Sequence, residues 1–446
     1  MTKEEFLTLF FERANENKID YFVFGSYQFL PRDTGGSDID IVVTESDFFK
    51  IERTILDLSM KNEIALASYY ETYNAKFYRF LTFEWGVQID VFYKGLLYKG
   101  ASYFPVDLLQ NDVFIYNNIV RVLNAEKGYF VDYFKEIIHN GRAKEKYTKA
   151  LLNAFNKDFD EAKEIVERVY EKKTLDLILE NLSIDGLNKI AFPLQKELRK
   201  MVSRGNKIKQ WLVKISLLKR FFMRKPGYVI VVEGTDGSGK STVISKITPI
   251  LNECFHNGVV YNHLRPNWLP DIAVVLGKRK KPKEGKKVKV VSDPHAGKQS
   301  GFVMSLVRWG WYMLDYSFGF LKKVWLPIHL RSKVFIFDRY YYEFYLDQKR
   351  SHVKLPNWIV RVGEFILPKP DLILCLGGNP EKIYARKPET SLEEVLRQTA
   401  MLKDFCDKRK NAVWIDTTIK PEESIETAMQ AITSMMSKRF KLIASA

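Results

Sequence analysis

Three stretches of the chain differ in how their apolar residues are spaced, and each spacing predicts different elements. Near the amino terminus Phe6, Leu7, Leu9, Phe10 and Phe11 fall on one side of a helix over 3–15, and residues 21–24 read as a short strand. Strand-like runs follow at 38–43 and 87–92, and 111–123 keeps some strand character. From about 131 to 220 the period becomes helical, at 147–155, 159–172, 175–182, 187–202 and 207–222, with Pro193 the main breaker. Beyond it, apolar runs at 228–232, 259–264, 333–337, 372–376 and 412–415 alternate with helical segments. That alternation predicts five strands of a parallel, doubly wound sheet. The pattern divides the α/β chain into an α+β domain (1–125), a helical spacer or extension (126–222) and an α/β domain (223–446), with the main boundary near 219–226.

The first strand of the last domain runs straight into Gly234-Thr-Asp-Gly-Ser-Gly239-Lys240-Ser241-Thr242, after which the pattern is helical. Backbone N–H groups of such a loop, with the helix N-terminus behind it, form a cradle for phosphates. Gly234, Gly237, Ser238, Gly239, Lys240, Ser241 and Thr242 are therefore the candidate ATP-binding set. Lys240 would reach the β- and γ-phosphates, and the Ser241 hydroxyl would hold Mg²⁺. A plain glycine-rich turn is the alternative, but the full spacing, lysine, hydroxyl and strand–helix context favour the phosphate loop. Ligands of open parallel sheets gather at the carboxyl ends of strands. Asp338 and Arg339 follow one such run, where a carboxylate can order Mg²⁺ water or take an acceptor's proton and a guanidinium can clamp a phosphate. Arg386 and Lys387 follow another strand and helix, and a capping box at Ser391 and Glu394 starts a helix carrying Arg397.

The amino-terminal domain carries a second candidate site. Strand alternation sets Asp38 and Asp40 on one face, with Ile39 and Ile41 turned to the core. Two carboxylates so close repel unless a cation lies between them or one is protonated, which makes the pair a hard-cation site. Asp90 lies in a further strand-like run, and Gly25-Ser26 follows the first strand. Exposed strand edges also carry acids. Lys76 and Arg79 are basic residues that could approach phosphates or simply lie at the surface.

The order Gly25-Ser26, Asp38-x-Asp40, Asp90 resembles the DNA polymerase β-like nucleotidyltransferase superfamily over about 22–92. The resemblance implies triphosphate contacts by Gly25 and Ser26, and two Mg²⁺ ions on Asp38, Asp40 and Asp90. Residues 233–242 followed by Phe337-Asp338-Arg339-Tyr340 resemble the thymidylate kinase group of P-loop kinases over about 227–438. That resemblance implies ATP–Mg²⁺ and γ-phosphoryl transfer, with Lys240, Asp338, Arg339, Arg386, Lys387 and Arg397 as catalytic groups and Arg386-Lys387 as a lid. Acceptor contacts would fall to Asp236, Arg265 and Arg339. The chain departs from the thymidylate kinases at Asn262-His263-Leu264-Arg265-Pro266-Asn267-Trp268-Leu269-Pro270 and in a lysine-rich insertion at 278–289. These departures resemble thymidylate-kinase-like proteins of bacterial surface-glycan genes, whose acceptor need not be a nucleotide.

Composition narrows this picture only slightly. Across 446 residues the formal net charge is +16, which suits phosphorylated substrates, nucleic acid or an anionic surface. Cys254, Cys375 and Cys406 are too scattered for a disulfide framework or a zinc site, pointing to a reducing, cytoplasmic setting. The start of the chain is charged and unlike a signal peptide. The apolar stretch 302–328 carries Arg308, Asp315, Lys322 and Lys323 and reads as a buried or interfacial helix rather than a transmembrane span. The two resemblances together imply a bifunctional enzyme that pairs a kinase with a nucleotidyltransferase in one pathway. Its partners would be a nucleoside triphosphate and a small-molecule, nucleotide or glycan acceptor. A nucleic-acid end-processing enzyme, a dTMP kinase with an accessory domain and a regulatory nucleotide binder are the alternatives, and a homodimer is left open.

Overall fold

The structure, a computed structural model, describes residues 1–203, 207–222, 224–270, 272–275, 301–348, 350–351 and 353–444. The lysine-rich insertion at 278–289 lies outside the described residues. The chain forms two compact units, one built from 1–80, 87–224 and 440–446, the other from 81–86 and 225–439.

Nine strands belong to the first unit: β1 (Tyr21–Phe24), β2 (Ile39–Val43), β3 (Ala65–Glu71), β4 (Ala75–Leu81), β5 (Gly86–Phe92), β6 (Leu96–Tyr98), β7 (Ala101–Phe104), β8 (Val113–Tyr116) and β9 (Val120–Leu123). Seven of them form a mixed sheet in the order β3-β4-β5-β2-β1-β9-β8, while β6 and β7 make a separate ribbon. The amino-terminal helix Lys3–Glu16 starts at a capping box: Thr2 Oγ1 accepts from Glu5 N–H, and the Glu5 carboxylate accepts from Thr2 N–H. Its Phe6, Leu7, Phe10 and Phe11 are fully buried, as the helical spacing predicts.

The described residues of 126–222 form seven helices, from Ala125–Asn140 to Lys207–Phe222, and they are not packed as a separate body. Phe22, Phe24 and Val42 of the sheet share one core with Phe130 and Phe134 of helix Ala125–Asn140 and with Leu151, Val166, Ile178 and Leu194 of the helices that follow. Sheet and helices therefore lie within one unit, and the chain passes to the other unit at 224/225.

The second unit is built on β10 (Tyr228–Gly234), β11 (Val259–His263), β12 (Val334–Asp338), β13 (Leu372–Gly377) and β14 (Ala412–Asp416). Every neighbouring pair is parallel, in the order β11-β12-β10-β13-β14. β10, β12 and β13 are buried along their whole length, which is why their sequences are continuous apolar runs without alternation. Val229, Val231, Phe335, Phe337 and Ile373 share one core with Tyr316, Val360 and Leu402. The helix Lys240–Cys254, which touches β10, β11 and β12, leaves directly from the end of β10. Because β10 is the first strand yet lies in the middle of the sheet, its two neighbours leave in opposite directions, and a crevice opens at the carboxyl ends.

The 302–328 stretch is helical, with π-helical turns at Asp315–Gly319 and Leu321–Trp325. Trp309 donates through Nε1 to the Tyr341 hydroxyl at 2.7 Å, and Tyr316 donates to Leu264 O, so part of its aromatic side packs inward. Among the described residues no helix is long and apolar enough to cross a membrane. All three cysteines are buried free thiols.

Candidate active sites

In the second unit the loop after β10 turns through two glycines in left-handed conformation, Gly237 and Gly239, each at φ +81°. At Gly237 a Cβ would stand 2.7 Å from Ile383 O, so this position needs glycine both for its torsion and for the close approach of helix Pro380–Arg386. Gly239 is the N-cap of helix Lys240–Cys254, which leaves the helix's first N–H groups pointing into the crevice. The Lys240 ammonium donates to Gly234 O at 2.7 Å and Thr235 O at 2.8 Å. Burial and the neighbouring Arg339 pull its pKa down to about 7, against Asp236, Asp338 and Glu343.

The adjacent parallel strand delivers the acid and the arginine. Val232 pairs with Asp338 across β10 and β12, so Asp338 emerges beside the phosphate loop. His263 pairs with Asp338 from β11. Tyr261 donates to Asp338 Oδ2 at 3.0 Å, and the other carboxylate oxygen is buried without a hydrogen-bond partner. Arg339 has a left-handed backbone, φ 69°, which costs a non-glycine residue energy and is a form of strain found at functional sites. Its Nη2 donates to Asp236 Oδ1 at 2.8 Å, while Nη1 is buried and unpaired. Arg350 donates to the other oxygen of Asp236. Burial alone would raise the Asp236 carboxyl, but Arg339, Arg350 and Lys240 outweigh it and hold the group well below the usual range. Beneath them Glu233 accepts from Tyr340 N–H at 2.8 Å, and burial next to Glu343 pushes its carboxyl well up.

These groups face one cleft of about 790 Å³. Asp236, Lys240, Ser241, Thr242, Asp338 and Arg339 line it, and Arg386 and Lys387 close its other side. Arg386 donates to Thr417 O at 2.9 Å, and Lys387 pairs with Glu389 at 3.0 Å. The cleft thus gathers five cationic side chains against two carboxylates, a balance suited to a polyphosphate.

Two expected members lie elsewhere. Arg265, assigned an acceptor contact, instead spans Asp315 Oδ2 at 3.1 Å and Leu269 O at 3.0 Å. The fully buried Asp315 carboxylate needs a cation and also accepts from Trp268 and Leu269 N–H, so Arg265 pins the 264–270 segment to the long helix. Arg397 is held by Glu394 three residues before it and does not line the cleft. Conversely, Arg350 and His263 do line it, and nothing in the sequence spacing singled them out. His263 could have been found as the residue that ends β11 in register with Asp338.

In the first unit Asp40 stands directly opposite Asp90 across β2 and β5, and a ligand oxygen from each of Asp38, Asp40 and Asp90 lies within 4.8 Å of the others. Ile39 and Ile41 are buried, as alternation requires. Gly25 and Ser26 leave β1 just where Phe24 pairs with Asp40, so they border the acidic cluster; Gly25 has φ +99°. Burial, then the charge of Asp38, pushes Asp40 up to about 7, with Lys135 opposing. Burial and the same two acids raise Asp90 well above its usual range. The Gln88 amide donates to both Asp90 oxygens, at 2.9 and 3.0 Å. Three carboxylates gathered under that mutual repulsion fit a divalent oxygen-seeking cation. Lys76 is taken by Glu52, and Arg79 is buried against Gln88 and Ser68, so neither is an exposed surface charge.

No protein-family model matches the chain, and no curated protein matches it. Among solved structures the chain is similar to thymidylate kinase from Ehrlichia chaffeensis, with 18% identity and a TM-score of 0.29 over 43% of this chain and 88% of that one.

Proposed function

We propose that the second unit is a thymidylate-kinase-like P-loop kinase that moves the γ-phosphoryl group of ATP to a small-molecule, nucleotide or glycan acceptor. We further propose that the first unit is a nucleotidyltransferase acting in the same pathway. One observation carries the kinase reading: the glycine loop, Lys240, Asp338, Arg339, Arg386 and Lys387 face a single cleft at the carboxyl ends of β10 and β12. The loop N–H groups and the helix N-terminus would hold the β-phosphate, with the Lys240 ammonium turning from the loop carbonyls to the β- and γ-phosphates. Arg386 and Lys387, which line the same cleft, would meet charge building on the transferring group, and Arg339, whose Nη1 has no hydrogen-bond partner, would hold an anionic acceptor. Asp338, which lines the cleft, would take the acceptor's proton.

In the first unit Asp38, Asp40 and Asp90 would hold the metal, and Gly25 and Ser26 would meet the triphosphate. Ser241 is the corresponding metal-holding hydroxyl of the kinase cleft. Magnesium, when bound at either site, supplies positive charge that neutralises phosphate oxygens and makes a hydroxyl a better nucleophile. The test is an acceptor screen over nucleoside monophosphates, sugars and glycans with γ-labelled ATP. Labelled product that disappears in Lys240→Ala supports the kinase. No labelled product with any of these acceptors removes its basis.

A further inference from the structure

A cavity of about 290 Å³ opens beside the acidic cluster of the first unit, and Asp40 is the one member of that cluster in its wall. Gly25, Ser26, Asp38 and Asp90 do not line it, so the cavity lies off the triphosphate side of Asp40. Its sides are the rings of Phe24, Phe77, Phe92 and Tyr103. Thr72, Asn74, Lys99, Lys135 and His139 add polar and basic groups to the wall, and helix Lys207–Phe222 contributes Val213, Ser216 and Leu217. That helix sits directly on the turn between β6 and β7. Gly100 there has φ +86°, and a Cβ would stand 3.1 Å from the Lys209 carbonyl group. The glycine thus permits the backbone contact that closes the cavity.

We infer that this cavity is the acceptor site of the amino-terminal unit and takes a single-ring, hydroxyl-bearing small molecule, either a pyranose or an aryl alcohol. The inference rests on the nucleotidyltransferase reading above. A cavity of about 150 Å³ holds one benzene, so the space here accommodates one substituted ring and no stack of nucleotides. Aromatic walls suit the apolar face of either ring class, and a hydroxyl at the Asp40 end is presented to the acidic cluster. In the transfer the acceptor oxygen bonds to the α-phosphorus of the triphosphate. The bond from that phosphorus to the α–β bridging oxygen breaks, and pyrophosphate leaves with the electron pair. The hydroxyl proton passes to water.

The test uses the full chain and two probes, methyl α-D-glucopyranoside and 4-hydroxybenzyl alcohol, followed by saturation-transfer NMR and titration. Ser216→Trp fills the cavity, whereas Leu218→Trp alters the same helix at a half-exposed position outside it. One probe should bind wild type and Leu218→Trp equally, and Ser216→Trp should weaken it by about tenfold or more. Which probe binds tells a sugar acceptor from an aryl one. Equal binding to wild type and Ser216→Trp, or binding of neither probe, overturns the inference. Mn²⁺ binding followed by electron paramagnetic resonance keeps the two readings apart. Mn²⁺ retained in Ser216→Trp shows the acidic cluster intact, and Mn²⁺ signal unchanged by Asp38→Asn counts against the nucleotidyltransferase reading whatever the probes do.

Discussion

Lys240 is buried, its ammonium held by two loop carbonyls, and its charge is opposed by Arg339 next to it. A lysine so placed gains most from phosphate oxygens arriving in the same cleft. Lys240→Ala should lower phosphoryl transfer by roughly 10³-fold, as removal of one preorganised cation does, and steady-state turnover of γ-labelled ATP reads it directly. Asp236 is the counterpart on the acidic side. Removing its charge in Asp236→Asn leaves Arg339 and Arg350 facing each other and should cost about 3 kcal/mol, measured by urea unfolding. The folded carboxyl titrates below its ordinary value of 3.8, so its stabilisation is fully present above that pH and is lost as pH falls through the folded value. The gap between wild type and Asp236→Asn should therefore widen as pH falls through about 7, where Lys240 gains its proton beside Asp236, and begin to close only below about pH 4. A gap that already narrows as pH falls from about 6 to 5 would mean the two arginines do not hold this carboxylate down. Residues bound by local spacing were legible from sequence: the phosphate loop, and Asp38 with Asp40. Arg265 and Arg350 were not, because partner choice there depends on a buried Asp315 and an Asp236 that lie 50 and 114 residues away.

At the scale of elements, the phosphate loop and helix Pro380–Arg386 constrain one another through Gly237. Gly237→Ala meets both a left-handed torsion and the Ile383 carbonyl, whereas Gly239→Ala meets the same torsion with no atom nearer than 3.7 Å. Each should lose about 1–2 kcal/mol to the torsion, and Gly237→Ala should lose more and weaken nucleotide binding as well. Thermal unfolding with and without ATP checks the order. Equal losses would show that the loop and the Arg386–Lys387 segment are not packed as described. β10, β12 and β13 were readable because full burial writes them as unbroken apolar runs, whereas the partly exposed β11 and β14 were readable from their place in the strand–helix alternation. β3, β4 and β7 were not, since Ala-Leu-Ala-Ser-Tyr-Tyr-Glu and its neighbours mix aromatic and polar residues without clean alternation. The aromatic stretch after Phe302 was readable as a helix. Its π-helical turns were not, because they depend on Tyr316 reaching Leu264 O and on Asp315 holding the chain at Trp268.

At the scale of the whole molecule, the chain carries two clusters of charged side chains of opposite sign. One gathers cations in a cleft of a parallel sheet, and the other gathers carboxylates on a mixed sheet whose core includes the helices that follow it. The sequence pattern suggests a domain boundary at 125/126, whereas Phe22, Phe134 and Leu194 on its two sides share one core. The two chemistries leave different marks, because a kinase transfers the γ-phosphorus and a nucleotidyltransferase the α-phosphorus. The most direct measurement is therefore an acceptor screen run in parallel with α- and γ-labelled nucleoside triphosphates on wild type, Lys240→Ala and Asp38→Ala. Two independent sites predict γ-label in product from wild type and Asp38→Ala but not Lys240→Ala, and α-label from wild type and Lys240→Ala but not Asp38→Ala. Undiminished γ-label from Lys240→Ala, or loss of both labels in either single variant that remains folded, would contradict it.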